Sequence, residues 1–503
     1  MSPMSPTRSS SGLLARSCRA LLSSPGRATL TYPRSTSFAR TMAVNGVDGG
    51  HAIRSKHDFS ALKVNQSRLV EAIHSGCKYG AAHRYGNDPT ETGMARLSLN
   101  DADKQIRDWF RSTAESLGCK ISVDQMGNQF AVKPGKNATA PPVMMGSHLD
   151  TQPTGGRYDG ILGVNAGLEV LKVLHENNFE TEGSIGVVNW TNEEGARFPM
   201  SAVSSGVWAE AVPLETAWNL LEVSHGEENG HRRTMKQELE RIGYLGEQPA
   251  SYRAFPIAAH FELHIEQGPY LEMERRRVGV VKGVQAYKWF EITVKGRDTH
   301  AGTTPFSARM DSMLCAAKLI VESNAIAKRF GGLATTGILN GEPGSVNTMA
   351  HTVTFSLDIR HVEDDRLAEM EKACREAFSR ISEKESERGC TLEWKELVDS
   401  PAVKFHPDCI AAVEASAKDV CQDLPQTAED GQLWKYMISG AGHDSCYTNR
   451  RCPTSMIFTV TKDGISHNPK EYCSPEDCAI GAQVLLGAVL RYDRLRADRG
   501  DFS

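Results

Sequence analysis

The chain has no apolar run approaching the length that crosses a bilayer, so a soluble protein is expected. It has no sustained basic stripe, and a net charge of -5 gives no electrostatic reason to expect nucleic acid. It has no C-x2-C pair. Its twelve cysteines are dispersed singly from Cys18 to Cys478. The nearest pairs, Cys446 with Cys452 and Cys473 with Cys478, lack zinc-ribbon or redox spacing. Reduced thiols in an intracellular enzyme are the expectation. No acidic residue occurs before Asp48, whereas Arg8, Arg16, Arg19, Arg27, Arg34 and Arg40 are interspersed with serines. Leu13, Leu14, Leu21 and Leu22 could form the apolar stripe of a basic helix. That composition predicts residues 1–41 to be a mitochondrial transit peptide and the matrix to be the destination. The alternative is a disordered extension, with initiation at Met42 and a cytoplasmic protein. The last residues, Asp501-Phe502-Ser503, carry no peroxisomal address.

At 503 residues the chain is too long for one ordinary core, so two domains are expected. From about residue 57 the pattern is α/β. Ile106, Trp109, Phe110 and Leu117 recur at helical spacing, and residues 121–133 read as a hairpin turning at Met126-Gly127-Asn128. Pro142–Gly146 is a short buried strand running into Ser147-His148, and Ser184–Trp190 is another running into Asn192-Glu193-Glu194. Val164, Leu168, Leu171 and Leu174 mark a helix packed on the sheet. Near Gly283 the rhythm changes to strand, helix, strand, strand, helix, strand over 289–295, 306–330, 334–340, 351–360, 363–386 and 391–396, the ferredoxin-like order. In 351–360, Val353, Phe355, Leu357 and Ile359 alternate with Thr354, Ser356, Asp358 and Arg360, which leaves one face for a partner or a cleft. After about residue 398 the first pattern resumes and closes on a helix capped by Ser474-Pro475-Glu476-Asp477. The expectation is an α/β catalytic domain, 55–283 and 399–503, with its site at strand C-termini. An inserted ferredoxin-like α+β (βαββαβ) domain is expected over 284–398, its free sheet face open to a partner, as in a dimerisation domain, or to a cleft, as in a lid.

Five metal-type ligands are spread along this pattern: His148 in GSHLD, Asp159 in RYDG, Glu194 in NEEGARF, His264 in HFELHIEQGP and His443 in GAGHDSC. Taken singly, each has an ordinary structural explanation; a second His-x-Asp, His406-Pro407-Asp408, has no assigned role. Together they match what two adjacent divalent cations require. Asp150 is placed to hold the second ring nitrogen of His148. Glu193, spare beside Glu194, could deprotonate a water and later protonate a leaving nitrogen. That arrangement reads as a hydrolase that generates its own hydroxide.

The segments GSHLDTQPTGGRYDGILGV, NEEGARF, HFELHIEQGP, GVQAYKWFEITVKGRDTHAGTTP, GSVNTMAHTVTFSLDIRH, SGAGHDSC and SMIFTVTKDGISHNP together resemble the yeast-type β-alanine synthases. The resemblance extends to N-carbamoyl-L-amino acid hydrolases and allantoate amidohydrolases, relatives of dinuclear zinc aminoacylases and carboxypeptidases, and covers roughly residues 55–495. It implies two zinc ions (Mn2+, Co2+ or Ni2+ being possible), one held by His148, Asp159 and His264 and the other by Asp159, Glu194 and His443. It implies Glu193 as general base and acid, and a homodimer in which His300 reaches the partner's site to polarise the carbonyl. It implies Arg360 and Asn347 on the substrate carboxylate and Gln267 on the carbamoyl group. Arg360 has independent support, because a planar fork on a polar strand face suits a carboxylate. The expected reaction is cleavage of N-carbamoyl-β-alanine to β-alanine, carbon dioxide and ammonia, with N-carbamoyl-L-amino acids or allantoate as alternative substrates. A non-catalytic dimeric binding protein on a hydrolase fold is a remote alternative.

Overall fold

The computed structural model describes residues 59, 61–223, 232–384 and 387–502. The expected leader, residues 1–41, lies outside them. Among the described residues no helix is long and apolar enough to cross a membrane, and none of the cysteines is joined in a disulfide.

Two sheets organise the described chain. The first half supplies helix α1 (Asp101–Ser116), strands β1 (Lys120–Val123), β2 (Gln129–Lys133) and β3 (Val143–His148), helix α2 (Ile161–Glu176), and strands β4 (Ile185–Trp190), β5 (Ala259–Ile265) and β6 (Val278–Val284). Next come β7 (Ala286–Lys295), α3 (Ser312–Phe330), β8 (Leu333–Thr335), β9 (Leu339–Glu342), β10 (Thr352–His361), α4 (Asp364–Lys384) and β11 (Thr391–Ser400). The chain then returns through β12 (Val403–Lys404), α5 (Pro407–Gln422), β13 (Trp434–Ser439), α6 (Asp444–Thr448), β14 (Thr454–Thr459) and α7 (Pro475–Arg499).

The larger sheet runs β12-β6-β14-β5-β3-β4-β2-β1, with β13 added beside β6. Its centre is parallel, β14 with β5, β5 with β3 and β3 with β4. Strands β3, β4, β5 and β14 are buried at every position, as the middle of a sheet covered on both faces must be. Helices α2 and α7 close one face, with Leu171, Val173, Val484 and Leu485 in its core. Gly146 is required inside β3, because a Cβ there would sit 2.1 Å from the Val188 carbonyl oxygen of β4.

The smaller sheet has the order β8-β10-β7-β11, with β9 also on β10, and every neighbour is antiparallel. The expected order of elements is present, with the second strand split into β8 and β9. Helix α3 starts at Ser312 rather than 306, because Asp311 caps it by accepting from the Leu314 N–H and residues 306–308 form a separate 3-10 turn. Phe290, Ile292, Val353, Phe355, Leu357 and Ile359 pack under α3 and α4, while Thr354, Ser356, Asp358 and Arg360 occupy the half-buried opposite face. The second His-x-Asp has a local role, since His406 caps α5 by accepting from the Asp408 N–H.

Phe355 is 1% exposed and lies on the strand face opposite Arg360. Phe355→Ala should cost about 3–5 kcal/mol of stability by cavity formation. Denaturant unfolding should show a lowered midpoint, while the protein that remains folded keeps its wild-type metal content.

Candidate metal centre

The parallel strands deliver their polar groups at their C-terminal ends. His148 is the last residue of β3, Glu193 and Glu194 follow β4, His264 is next to last in β5, and His467 follows β14. Asp159 stands on the turn into α2, where Gly160 has φ 66° and a Cβ would meet the His148 imidazole at 2.4 Å. That glycine lets the aspartate and the histidine approach. Asn192, Ala202, Gln267 and His467 also hold left-handed backbone (φ 48–59°), a concentration of local strain around one site.

Asp159 is the centre of the arrangement. Its Oδ1 lies 3.1 Å from His264 Nε2 and 3.6 Å from His148 Nε2. Its Oδ2 accepts from Gln267 Nε2 at 2.7 Å and Ser466 Oγ at 2.9 Å, and lies 3.5 Å from His467 Nε2. Glu471 fixes this turn from below by accepting from the Tyr158 and Asp159 N–H groups at 2.9 and 3.0 Å. The Nδ1 atoms of His148 and His264 face main-chain carbonyls of Asp150 and Ile265 at 2.9 and 2.8 Å. A carbonyl only accepts, so both rings carry the proton on Nδ1 and turn Nε2 toward Asp159. Asp150 therefore holds the second ring nitrogen of His148, and it does so through its main-chain carbonyl. The carboxylate instead accepts from the Glu193 and Glu194 N–H groups, each at 3.3 Å, and so fixes the turn that presents them.

Three groups of ligand-type atoms result among the described residues, the atoms of each within 4.8 Å of one another, and two of them contain Asp159. One is His148, Asp159 and His264; the other is Asp159, Glu194 and His467, so the aspartate belongs to both. The second group departs from expectation in its histidine. His443 stands at the start of α6, its Nε2 is 3.0 Å from Ser439 Oγ, and its ring packs 4.7 Å from that of His264. It groups with Glu262 and His264, not with Glu194. His467, half-exposed on the loop after β14, places Nε2 3.4 Å from Glu194 Oε2. Glu194 is further held by Gln152, whose main-chain and side-chain N–H groups donate to its two oxygens at 3.1 and 2.7 Å. His467 lies in a motif of the resemblance, SMIFTVTKDGISHNP, but has no acidic neighbour there to single it out; only the return of the chain to Asp159 reveals it.

Electrostatics explain why such a cluster calls for cations. Burial, with Asp159 adding to it, pushes the Glu194 carboxyl up to about 8. Burial also raises Glu193 well above the carboxylate range, against the pull of His148, whose Nε2 is 3.6 Å away. Burial alone would lower His264, yet Asp159 outweighs it and brings the imidazole to about 8. His443 follows burial, with His264 adding to the effect, and falls to about 3. Burial without a cation therefore favours protonated carboxyls at Glu193 and Glu194. Imidazole and carboxylate donors clustered about a shared aspartate fit divalent cations such as zinc.

A cavity of about 320 Å3 opens above this cluster. Asp159, Glu193, Glu194, His264, Gln267, His443 and His467 line it from the large sheet, and Tyr287, Trp289 and Arg360 from the small one. Arg360 is braced by Asp358, which accepts from Nε and Nη2, by the Gly440 carbonyl at 2.6 Å from Nη1, and by the Tyr287 ring. Asn347 does not join Arg360. It is exposed on the loop before β10, bonded through its carbonyl to the Ala301 N–H beside His300. Arg360 sits at the other end of that ten-residue strand, roughly 25–30 Å along it. His300 is likewise exposed, with Nδ1 accepting from Gly302 N–H at 3.0 Å, and neither residue lines the cavity of its own chain.

Residues 144–491 match the model of peptidase family M20/M25/M40. The chain belongs to this family. It is 36% identical over 430 residues to an N-carbamoyl-L-amino-acid amidohydrolase of Rhizobium meliloti, covering 85% of this chain and 96% of that protein. It is 31% identical over 413 residues to a ureidoglycolate hydrolase of Oryza sativa, covering 80% and 81% respectively. Among solved structures, an amidase of the hydantoinase/carbamoylase family from Burkholderia multivorans superposes with a TM-score of 0.76 at 40% identity, covering 86% of this chain and 98% of that one. This M20-family protein is accordingly an amidohydrolase, a metal-dependent enzyme for carbon–nitrogen bonds other than peptide bonds.

Cation binding must displace protons from the raised carboxyls, which gives a pH signature. A carboxyl whose folded pKa is raised favours the folded state below its unfolded value, near 4.5, and loses that contribution as pH rises toward the folded value, near 8 for Glu194. The Tm difference between zinc-loaded and chelator-stripped protein should therefore widen from about pH 5 to about pH 8. A difference independent of pH over that window would show that these carboxyls do not meet the cation.

Proposed function

We propose that the chain hydrolyses N-carbamoyl-L-amino acids, releasing the free amino acid, carbon dioxide and ammonia. The observation that carries this reading is the pairing of Arg360 with the metal centre across one cavity. A carboxylate-binding fork and the metal-type cluster thus line the same cavity. N-carbamoyl-β-alanine, expected from the sequence resemblance, has the same two functional groups. The α-amino acid derivatives are preferred because three relatives, matched over 96%, 93% and 94% of their own lengths, carry that name.

His148, Asp159 and His264 would hold one divalent cation, and Asp159, Glu194 and His467 the other, with zinc favoured by the donor set. Bound there, the pair supplies Lewis acidity and makes a water acidic enough to attack at neutral pH. Glu193 receives the proton of that water on its buried carboxylate and passes it to the leaving nitrogen. Gln267 offers a buried amide oxygen with no partner among the described residues, an acceptor for a carbamoyl N–H. Arg360 takes the substrate carboxylate in a two-pronged contact.

The ferredoxin-like small sheet serves in this reading as a dimerisation and lid element. His300 and Asn347, adjacent and exposed at its far end, reach the cavity of a second copy. His300 would polarise the carbonyl there, and Asn347 would assist the partner's carboxylate site.

The test is a panel of kcat/KM values on zinc-replete protein with N-carbamoyl-L-amino acids, N-carbamoyl-β-alanine, allantoate and dipeptides. The expected ranking places N-carbamoyl-L-amino acids first. Glu193→Gln should retain metal and lose roughly 10²–10⁴-fold or more in kcat. A clear preference for allantoate or dipeptides, or near-normal turnover by Glu193→Gln, would contradict the reading.

A further inference from the structure

Below the metal cluster lies a fully buried polar layer that the chemistry above does not use. Alternation along β5 puts His260, Glu262 and His264 on one side of the strand, opposite Phe261, Leu263 and Ile265. Glu262 is 0% exposed. Its Oε1 accepts from Ser147 Oγ at 2.6 Å and its Oε2 from Ser445 Oγ at 2.6 Å. Ser147 immediately precedes His148, and Ser445 follows His443 by two positions in α6. One carboxylate therefore joins three segments: the end of β3, the strand that carries His264, and the helix that begins after His443. The layer continues through Ser445 Oγ to His260 Nδ1 at 3.4 Å, and from Trp190 Nε1 to His260 Nε2 at 3.4 Å.

Glu262, His264 and His443 also have the proximity of a cation site. The hydrogen bonds argue against that use. Both Glu262 oxygens already accept short hydroxyl bonds, and His443 Nε2 faces Ser439 Oγ. Glu194 also accepts from Gln152, but it lines the cavity, whereas Glu262 does not.

We propose that Glu262 is a positioning residue for the metal centre: its carboxylate clamps Ser147 and Ser445, and so fixes the imidazoles of His148, His264 and His443 relative to one another. The proposal rests on the reading that the centre above binds divalent cations. Short hydrogen bonds to a buried carboxylate are strong, and removing the acceptor leaves two hydroxyls unpaired in the interior. Glutamine can keep the clamp, because its oxygen accepts from one serine and its amide N–H donates to the other. Leucine cannot.

The experiment compares wild type, Glu262→Leu, Glu262→Gln, Ser147→Ala and Ser445→Ala. Zinc affinity is read by chelator competition and ligand geometry by the visible absorption of the cobalt-loaded protein. Glu262→Leu should bind zinc about 10–100-fold more weakly and give an altered cobalt spectrum. Glu262→Gln should recover most of both, and each serine variant should show a smaller loss. Wild-type affinity and an unchanged spectrum in Glu262→Leu would overturn the proposal. Should that variant not fold, the serine variants decide: unchanged affinity and spectrum in both would also overturn it. A wild-type protein that binds no zinc would instead remove the metal reading, and the positioning role with it.

Discussion

One buried carboxylate sets the terms for the rest of the molecule. Asp159 is drawn between two imidazoles on one oxygen and three polar groups on the other, while Glu193 and Glu194 lie buried close by. Like charges enclosed in a medium of low dielectric repel strongly, and several kilocalories per mole stand against ionising them all without compensation. Protons can supply that compensation at low pH. At neutral pH divalent cations do so, and in exchange gain nitrogen and oxygen donors already fixed in place.

The fold serves this requirement through strand direction. Parallel strands at the centre of the large sheet end on the same edge, so residues 148, 193, 194, 264 and 467 meet although more than 300 positions separate the first from the last. Turns with left-handed backbone at Asn192, Gln267 and His467 then aim side chains that straight strands could not. The small sheet contributes its open face as the opposite wall. Tyr287, Trp289 and Arg360 stand at the cavity end of its strands, and His300 and Asn347 at the other end. A single chain thus builds the metal-type cluster together with the wall that carries Arg360.

Much of this was legible in the sequence, because the responsible signals are local. Apolar strands ending in His148 and in Glu193-Glu194, the clean alternation of 351–360 and the cap at Ser474 each report on themselves. The readings that the structure alters depend on contacts between distant segments. Position 443 has an acid neighbour and a tight turn, as a ligand would, yet its ring falls beside His264. His467, without local support, is carried to Glu194 by the loop after β14. Asp150 sits at ligand-support spacing, but the turn directs its carbonyl to His148 and its carboxylate to the Glu193-Glu194 amides. Asn347 and Arg360 lie close in sequence, and a ten-residue strand holds them apart. Glu262 was available from the alternation of HFELHI; its serine partners, 115 and 183 positions away, were not.

The account stands most directly on where cations bind. Crystals of zinc-replete protein, measured at the zinc absorption edge, should show two anomalous peaks per chain, both in contact with Asp159. One should lie against His148 and His264 and the other against Glu194 and His467, with His443 outside both coordination shells. A single peak, or a pair that excludes Asp159, would contradict it.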